Sequence, residues 1–221
     1  MKKYLKKLAQ KHLFYKNYNS DYGYLYSLKR QNISFDNLID IGAYDGKFTS
    51  DFTEIFNNSA SYLFEAQTSK YKRLIRLFPD AKIFNVVLSD EVKNVEFYNY
   101  ESGSSYKKEI GMPSMILPEK RQTDVLNNYI NISDLINRKN YLKIDTQGSE
   151  LEILSPCDEI LKHIDFVQCE ISVDEYNQNS PSQDKYINFF YARGFVIADF
   201  VYAYRDNLGK SIQFDLVFKK I

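Results

Sequence analysis

Five short apolar runs, each bearing an acidic residue or a glycine turn at its end, limit how this chain can fold. They span 37–41 (before Gly42), 61–64 (before Glu65), 82–88 (before Ser89 and Asp90), 141–144 (before Asp145) and 164–171, whose end carries Glu170. Their lengths predict strands. Between them apolar residues recur at helical spacing: Phe48, Phe52, Ile55 and Phe56, then Tyr71, Leu74, Ile75 and Phe78, stopped by Pro79. Residues 95–98 read as a short accessory strand and 101–122 as a long exposed loop or hairpin. Val125, Leu126, Tyr129 and Ile130 predict a helix, and 150–154 another, halted by Pro156. Pro181 and Gly194 bracket a later helix. Residues 195–204 and 211–219 form two last strands, joined by Asp206-Asn-Leu-Gly209. The expectation is an α/β fold: a seven-stranded, mostly parallel sheet with helices on both faces and an antiparallel C-terminal hairpin.

Composition narrows the class. A chain of 221 residues with 44% hydrophobic content can bury one domain core plus a small appendage, which excludes disorder. The appendage is 1–35, basic and Tyr-rich, expected as a helical lid segment with a helix over 2–13, ahead of a domain at 36–221. Lys+Arg 29 balances Asp+Glu 29, which argues against a nucleic-acid partner. Two cysteines, Cys157 and Cys169, and two histidines, His12 and His163, exclude a disulfide framework and multi-His metal chemistry. All four read as structural or surface residues. No apolar h-region follows the charged start and no run reaches the roughly 18 apolar residues of a span. The expectation is a cytoplasmic protein without a membrane span; the oligomeric state stays open, with a homodimer as one option.

Ligands of such sheets sit at the carboxyl ends of the strands. The first end reads Asp40-Ile-Gly42-Ala43-Tyr44-Asp45-Gly46-Lys47. Its glycines let backbone approach a ligand, but its two carboxylates would repel a dinucleotide pyrophosphate and attract a cationic nucleoside such as S-adenosylmethionine. Glu65, followed by Ala66, is placed to accept two hydrogen bonds from a ribose diol. Ser89 or Asp90 could accept from an adenine amine. Each has a bland reading: Asp40 or Asp45 as a turn or cap residue, Glu65, Asp145 and Glu150 as helix-start carboxylates, Lys143 as a snorkelling side chain. Glu170 resists that reading, because an unpaired carboxylate inside an apolar strand costs several kcal/mol. The recurrence of acids at successive strand ends favours a nucleoside site.

These residues resemble a family. The stretches 40–49, 64–66, 87–90, 142–154, 168–171 and 215–218 are similar to the FkbM family of S-adenosylmethionine-dependent methyltransferases, over roughly 36–220. The Lys143-Ile-Asp145-Thr-Gln147-Gly148-Ser-Glu150 block is the most specific part. The family often has Asn-x-Gly at Tyr44-Asp45-Gly46 and Glu at Gln147, and its Thr-Leu-Asp stretch appears here only as Thr123-Asp-Val-Leu126. The resemblance implies a Rossmann-like methyltransferase domain and O-methylation, often of glycan sugars or natural-product scaffolds.

The expected chemistry is in-line methyl transfer to a hydroxyl of a small-molecule or glycan acceptor. Alignment and desolvation supply most of the rate. A base is needed, and Glu170 and Asp145 are the candidates, with Lys143 positioning. A divalent cation shared by Asp145 and Glu170 is the minority view, since no three-ligand spacing supports it. A nicotinamide-dependent reductase would need a dinucleotide turn or Tyr-x-x-x-Lys, and a hydrolase Gly-x-Ser-x-Gly; none is present. The remaining rival is a non-catalytic nucleoside-binding module. Tyr22–Tyr26, 101–118 and 172–181 are the expected acceptor walls.

Overall fold

The fold is described by a computed structural model that covers residues 20–57, 59–205 and 207–221. The expected helix over 2–13 and His12 lie outside the described residues. Helix α1 (Asp21–Arg30) starts at Ser20, whose Oγ accepts from Gly23 N. Then β1 (Asn37–Ile41), α2 (Lys47–Ile55), β2 (Ala60–Phe64), α3 (Thr68–Leu77) and β3 (Lys82–Phe84) alternate. After them come β4 (Val87–Leu88), β5 (Asn94–Phe97), β6 (Glu119–Asp124), β7 (Asn140–Ile144), α4 (Glu150–Leu154) and α5 (Asp158–Leu161). The chain ends with β8 (Phe166–Ser172), α6 (Gln183–Tyr191), β9 (Phe195–Arg205) and β10 (Ser211–Lys220).

Seven strands form the main sheet in the order β3-β2-β1-β7-β8-β10-β9. The first five run parallel; β10 is antiparallel to both β8 and β9. The order switches between β1 and β7, so their carboxyl ends flank the crevice where ligands of such sheets bind.

Strand alternation sorts side chains to two faces. Ile39, Ile41, Leu142, Ile144, Val167 and Cys169 point into one core, closed by α4, α5 and α6. Leu38, Tyr141, Phe166 and Val217 point into the other, with Tyr24, Leu25 and Leu28 of α1 and Phe48 and Phe52 of α2. Phe35 sits among four of these rings at centroid distances of 5.1–5.7 Å. The phenylalanines therefore serve chiefly the core, whereas among the described tyrosines only Tyr24, Tyr62, Tyr141 and Tyr186 are buried.

Three expectations are corrected. The run 82–88 is not one strand. Asn85 turns its amide onto the carbonyls of Glu65 and Ala66 (2.8 and 3.0 Å), so β3 ends and β4 joins a separate three-stranded sheet, β4-β6-β5. Residues 125–130 do not make an α-helix but lead through short 3₁₀ turns at Leu126–Asn128 and Ile132–Asp134. Asp124 takes Val125 N, Asn128 Nδ2 and Tyr129 OH onto its carboxylate, a local alternative to helical hydrogen bonding. The span 101–122 is not wholly loop: its last residues are β6, which pairs with both other strands of the small sheet.

Candidate active site

The crevice is built on one close approach. Gly42 N and Ala43 N donate to Phe64 O, and Asp145 N donates to Ile41 O, so the ends of β2, β1 and β7 are tied side by side. Gly42 has φ +82°, and a Cβ there would stand 1.9 Å from Asp145 O. Glycine is obligatory at this position. Gly46, also at positive φ, is packed against Leu74 and Phe78 and is outside the lining of the two clefts described next.

Two clefts meet here. The narrower one has an apolar floor of Phe64, Val86, Leu88 and Ile153 and polar edges from Glu65, Ala66, Ser105 and Tyr106. Glu65 is held by the backbone: Oε2 accepts from Tyr44 N and Oε1 from Gln67 N, both at 2.7 Å. Each oxygen keeps a lone pair for another donor. Burial outweighs these bonds and raises the Glu65 carboxyl to about 6. Tyr44, at φ +46°, lies under Lys70 Nζ (3.8 Å from the ring centroid). The segment after β5 folds over the rim, with Ser105 Oγ donating to Thr146 O and Gln67 Nε2 to Glu101 O.

The wider cleft is lined by Asp21, Asp40, Ala43, Asp45, Lys143 and Glu170, with Phe48, Tyr176 and Tyr204 as aromatic walls. Gly42, Tyr44, Ser102 and Asp145 are common to both clefts. Its acids form rows across the sheet: Asp40 pairs in register with Lys143, Lys143 with Gln168, and Glu170 with Asp215. Asp40 is fully buried, bonded through Oδ2 to Thr49 Oγ1 at 2.6 Å, with Oδ1 lacking a hydrogen-bond partner among the described residues. Burial raises its carboxyl to about 6, against the pull of Lys143. Asp215 rises to about 7 for the same reason. Lys143 Nζ lies 3.0 Å from Asp145 Oδ2. Burial works against its charge, but Asp145, Asp215, Asp40 and Asp21 hold it well above the usual lysine range. Glu170 Oε2 accepts from Gln147 Nε2 (2.7 Å) and Gln213 Nε2 (3.0 Å), and burial, then Asp145 and Asp215, push this carboxyl well up.

The structure thus brings Asp40, Gly42, Ala43, Tyr44, Asp45, Glu65, Ala66, Lys143, Asp145 and Glu170 to one crevice. Ser89 and Asp90 stand outside its lining. Ser89 is buried and bonded to Asp90, and Asp90 is paired with Lys93 at 2.7 Å, which lowers its carboxyl. Glu150 is a loop-folding residue: Oε1 accepts from Thr146 N and Gly148 N, and Oε2 from Tyr186 OH. His163 precedes β8 at the opposite rim, and Cys157 and Cys169 are buried. Sequence reasoning missed Asp21, Gln147, Gln168, Gln213 and Asp215 as site residues. The available signal was parity, since Gln168, Glu170, Gln213 and Asp215 interrupt apolar strands at alternate positions.

With this geometry in view, comparisons with known proteins are decisive. Residues 40–197 match the model of the methyltransferase FkbM domain. The chain belongs to the FkbM methyltransferase family. A search of curated proteins by sequence returned no match. Among solved structures, an S-adenosylmethionine-dependent methyltransferase from Clostridium acetobutylicum superposes with a TM-score of 0.51 at 10% identity, covering 93% of this chain and 92% of that one. It shows the shared fold. A putative RNA methyltransferase from Pyrococcus horikoshii (TM-score 0.48, 14% identity, 91% and 82% coverage) is also similar. So is a putative tRNA (m1A22) methyltransferase from Streptococcus pneumoniae (0.49, 12%), of which this chain spans 64% of the length while 85% of this chain is covered.

As an FkbM methyltransferase the protein uses S-adenosylmethionine, and the crevice fits it. The narrow cleft offers an apolar floor for a base and the Glu65 carboxylate for hydroxyl donors. The unpartnered, buried Oδ1 of Asp40 and the surplus of carboxylates suit a cationic ligand. No helix among the described residues is long and apolar enough to cross a membrane.

Proposed function

We propose that this FkbM methyltransferase transfers the methyl group to a hydroxyl of a sugar, glycan or other small polyhydroxylated acceptor. The observation that carries this reading is Asp145, the wall common to both clefts, joined through Gln147 Nε2 to Glu170 in the wider one. An acceptor hydroxyl held there has two carboxyl groups within reach and aromatic walls against which a ring can pack. Glu65 and Ala66 hold the nucleoside, Gly42 and Tyr44 face its far side, and Asp40, Ala43, Asp45 and Asp145 surround the cationic end. Ser89 and Asp90 act one layer out, through the Ser89–Tyr106 contact of 3.3 Å. S-adenosylmethionine supplies an electrophilic methyl on a good leaving group; the chain supplies alignment, exclusion of water and a proton acceptor. Glu170 and Asp145 are the candidate proton acceptors, and Lys143, 3.0 Å from Asp145 Oδ2, positions it.

Support for the N-terminal wall comes from Asp21, which lines the wider cleft and accepts from Gln168 Nε2 at 2.6 Å. Because α1 also buries Tyr24, Leu25 and Leu28, the probe of this wall is Asp21→Asn rather than deletion of 1–30. That variant is expected to raise acceptor KM while leaving cofactor Kd unchanged; an equal loss in both would make Asp21 a folding residue only. The function itself is tested by methyl transfer from labelled cofactor to a panel of sugars and glycan fragments. Transfer to a hydroxyl, lost in Glu170→Gln, is the expected result; transfer to nitrogen or carbon acceptors alone would overturn it.

A further inference from the structure

Among the described residues, the charged groups near Glu170 are committed elsewhere. From β7, Lys143 is bound to Asp145. From β10, Asp215 accepts from Gln168 Nε2 at 2.7 Å. From α4, Glu150 is saturated by two backbone N–H groups and by Tyr186 OH of α6. Tyr176, in the segment after β8, has its hydroxyl raised to about 12, by burial and then by Glu109. What remains for Glu170 is two uncharged amides, both donating to Oε2; among the described residues Oε1 has no hydrogen-bond partner.

The chemistry of that choice matters. A lysine beside a carboxylate favours its anion. An amide donor orients a carboxyl without fixing its charge, so the proton can be held or lost. Gln147 sits at φ +58°, a conformation costly for a non-glycine residue and kept only where the surroundings demand it. The turn therefore spends strain to aim this amide. Its Nε2 also reaches Asp145 Oδ1 at 3.1 Å, and its Oε1 accepts from Gln213 Nε2 at 3.2 Å, so the two glutamines form a closed clamp.

We propose that Gln147 and Gln213 are positioning residues that orient Glu170 without fixing its charge, that Glu170 rests as a protonated carboxyl in the free enzyme, and that the positive charge of the cofactor's sulfonium expels this proton to solvent, arming Glu170 as the base. This rests on the methyl-transfer reading. Burial and the neighbouring carboxylates favour the protonated form in the free cleft. A cation at the Asp145 wall favours the anion through the same proximity. In turnover the acceptor O–H bond breaks, its proton goes to Glu170 Oε1, the O–CH3 bond forms, and the S–CH3 electron pair returns to sulfur as a neutral thioether. The positive charge that armed the base is then gone, and Glu170 is left protonated as it began.

S-adenosylmethionine and S-adenosylhomocysteine differ only in that methyl and its charge, which gives a test that needs no acceptor. Each is titrated calorimetrically into the full chain near neutral pH, in buffers of different ionisation enthalpy. The expected result is greater proton release with S-adenosylmethionine, a difference abolished in Glu170→Gln. In Gln213→Met, which keeps Glu170, the release shifts to higher pH because the anion loses a donor. Equal proton release for the two ligands, or an unchanged difference in Glu170→Gln or pH range in Gln213→Met, overturns the proposal. Failure of both ligands to bind would instead bring down the cofactor site, and the inference with it.

Discussion

Gly42 and Asp145 occupy adjacent strand ends so closely that a single added methyl would lie 1.9 Å from the Asp145 carbonyl oxygen. No side-chain rotation relieves that contact, because the obstacle is backbone. Gly42→Ala is expected to destabilise the protein by about 2 kcal/mol or more, from the clash and from the cost of alanine at positive φ. It should also abolish S-adenosylhomocysteine binding. Urea unfolding and calorimetry check both; wild-type values in either would refute the account of the crevice.

Glu65 presents one free lone pair per oxygen because two backbone N–H groups fix its orientation. Glu65→Gln turns one acceptor into a donor facing another donor. Losing a bond to a charged acceptor is worth about 1.5–3 kcal/mol, so cofactor Kd should rise at least about tenfold. Thermal stability measured alongside will show whether binding alone is affected.

Lys143 is the cation among Asp21, Asp40, Asp145 and Asp215. Lys143→Met strands these acids and should cost about 3–5 kcal/mol near pH 8. Near pH 5 the loss should be smaller, because the stranded carboxylates take up protons. A loss independent of pH would show that Lys143 acts by packing instead.

Asp40 and Glu65 at about 6 and Asp215 at about 7 make the empty protein pH-sensitive. Their folded values lie above the unfolded ones, so their contribution is intact at acid pH and is lost as pH rises through 6–7. Urea midpoints should fall from about pH 5 to about pH 8, less so in Asp215→Asn and less so with bound S-adenosylmethionine. A profile rising over this window contradicts the burial of these acids.

Glu150 is a further fully buried carboxyl residue, but its work is to fold the 145–150 turn. Glu150→Ala should lose several kcal/mol of stability, since it orphans two backbone N–H groups and Tyr186 OH. Any active remainder should keep the wild-type pH profile, unlike Gln213→Met.

The strands of the main sheet and the ligand-bearing ends were legible because short apolar runs closed by acids have few other uses, and Glu65 and Asp145 fall where such runs predict. The clamp was not legible. Gln147 acts through a φ of +58°, and Gln213 and Asp215 reach the site only because β10 inserts beside β8, a pairing that no local pattern announces. The break at Asn85 was hidden too, since a hydrogen bond to Glu65 O, not a composition change, ends β3. Asp90 looked like a site residue on spacing alone and is diverted by Lys93, three positions on and level with it in space.

The small β4-β6-β5 sheet has a bearing on how such enzymes diversify. It anchors both ends of the excursion that roofs the crevice, through β5 on one side and β6 on the other, apart from the seven main strands. The excursion edges the narrow cleft through Ser105 and Tyr106 and both clefts through Ser102, so exchanging it between relatives would reshape the methyl-donor pocket and the wider cleft together while leaving the seven-stranded frame in place.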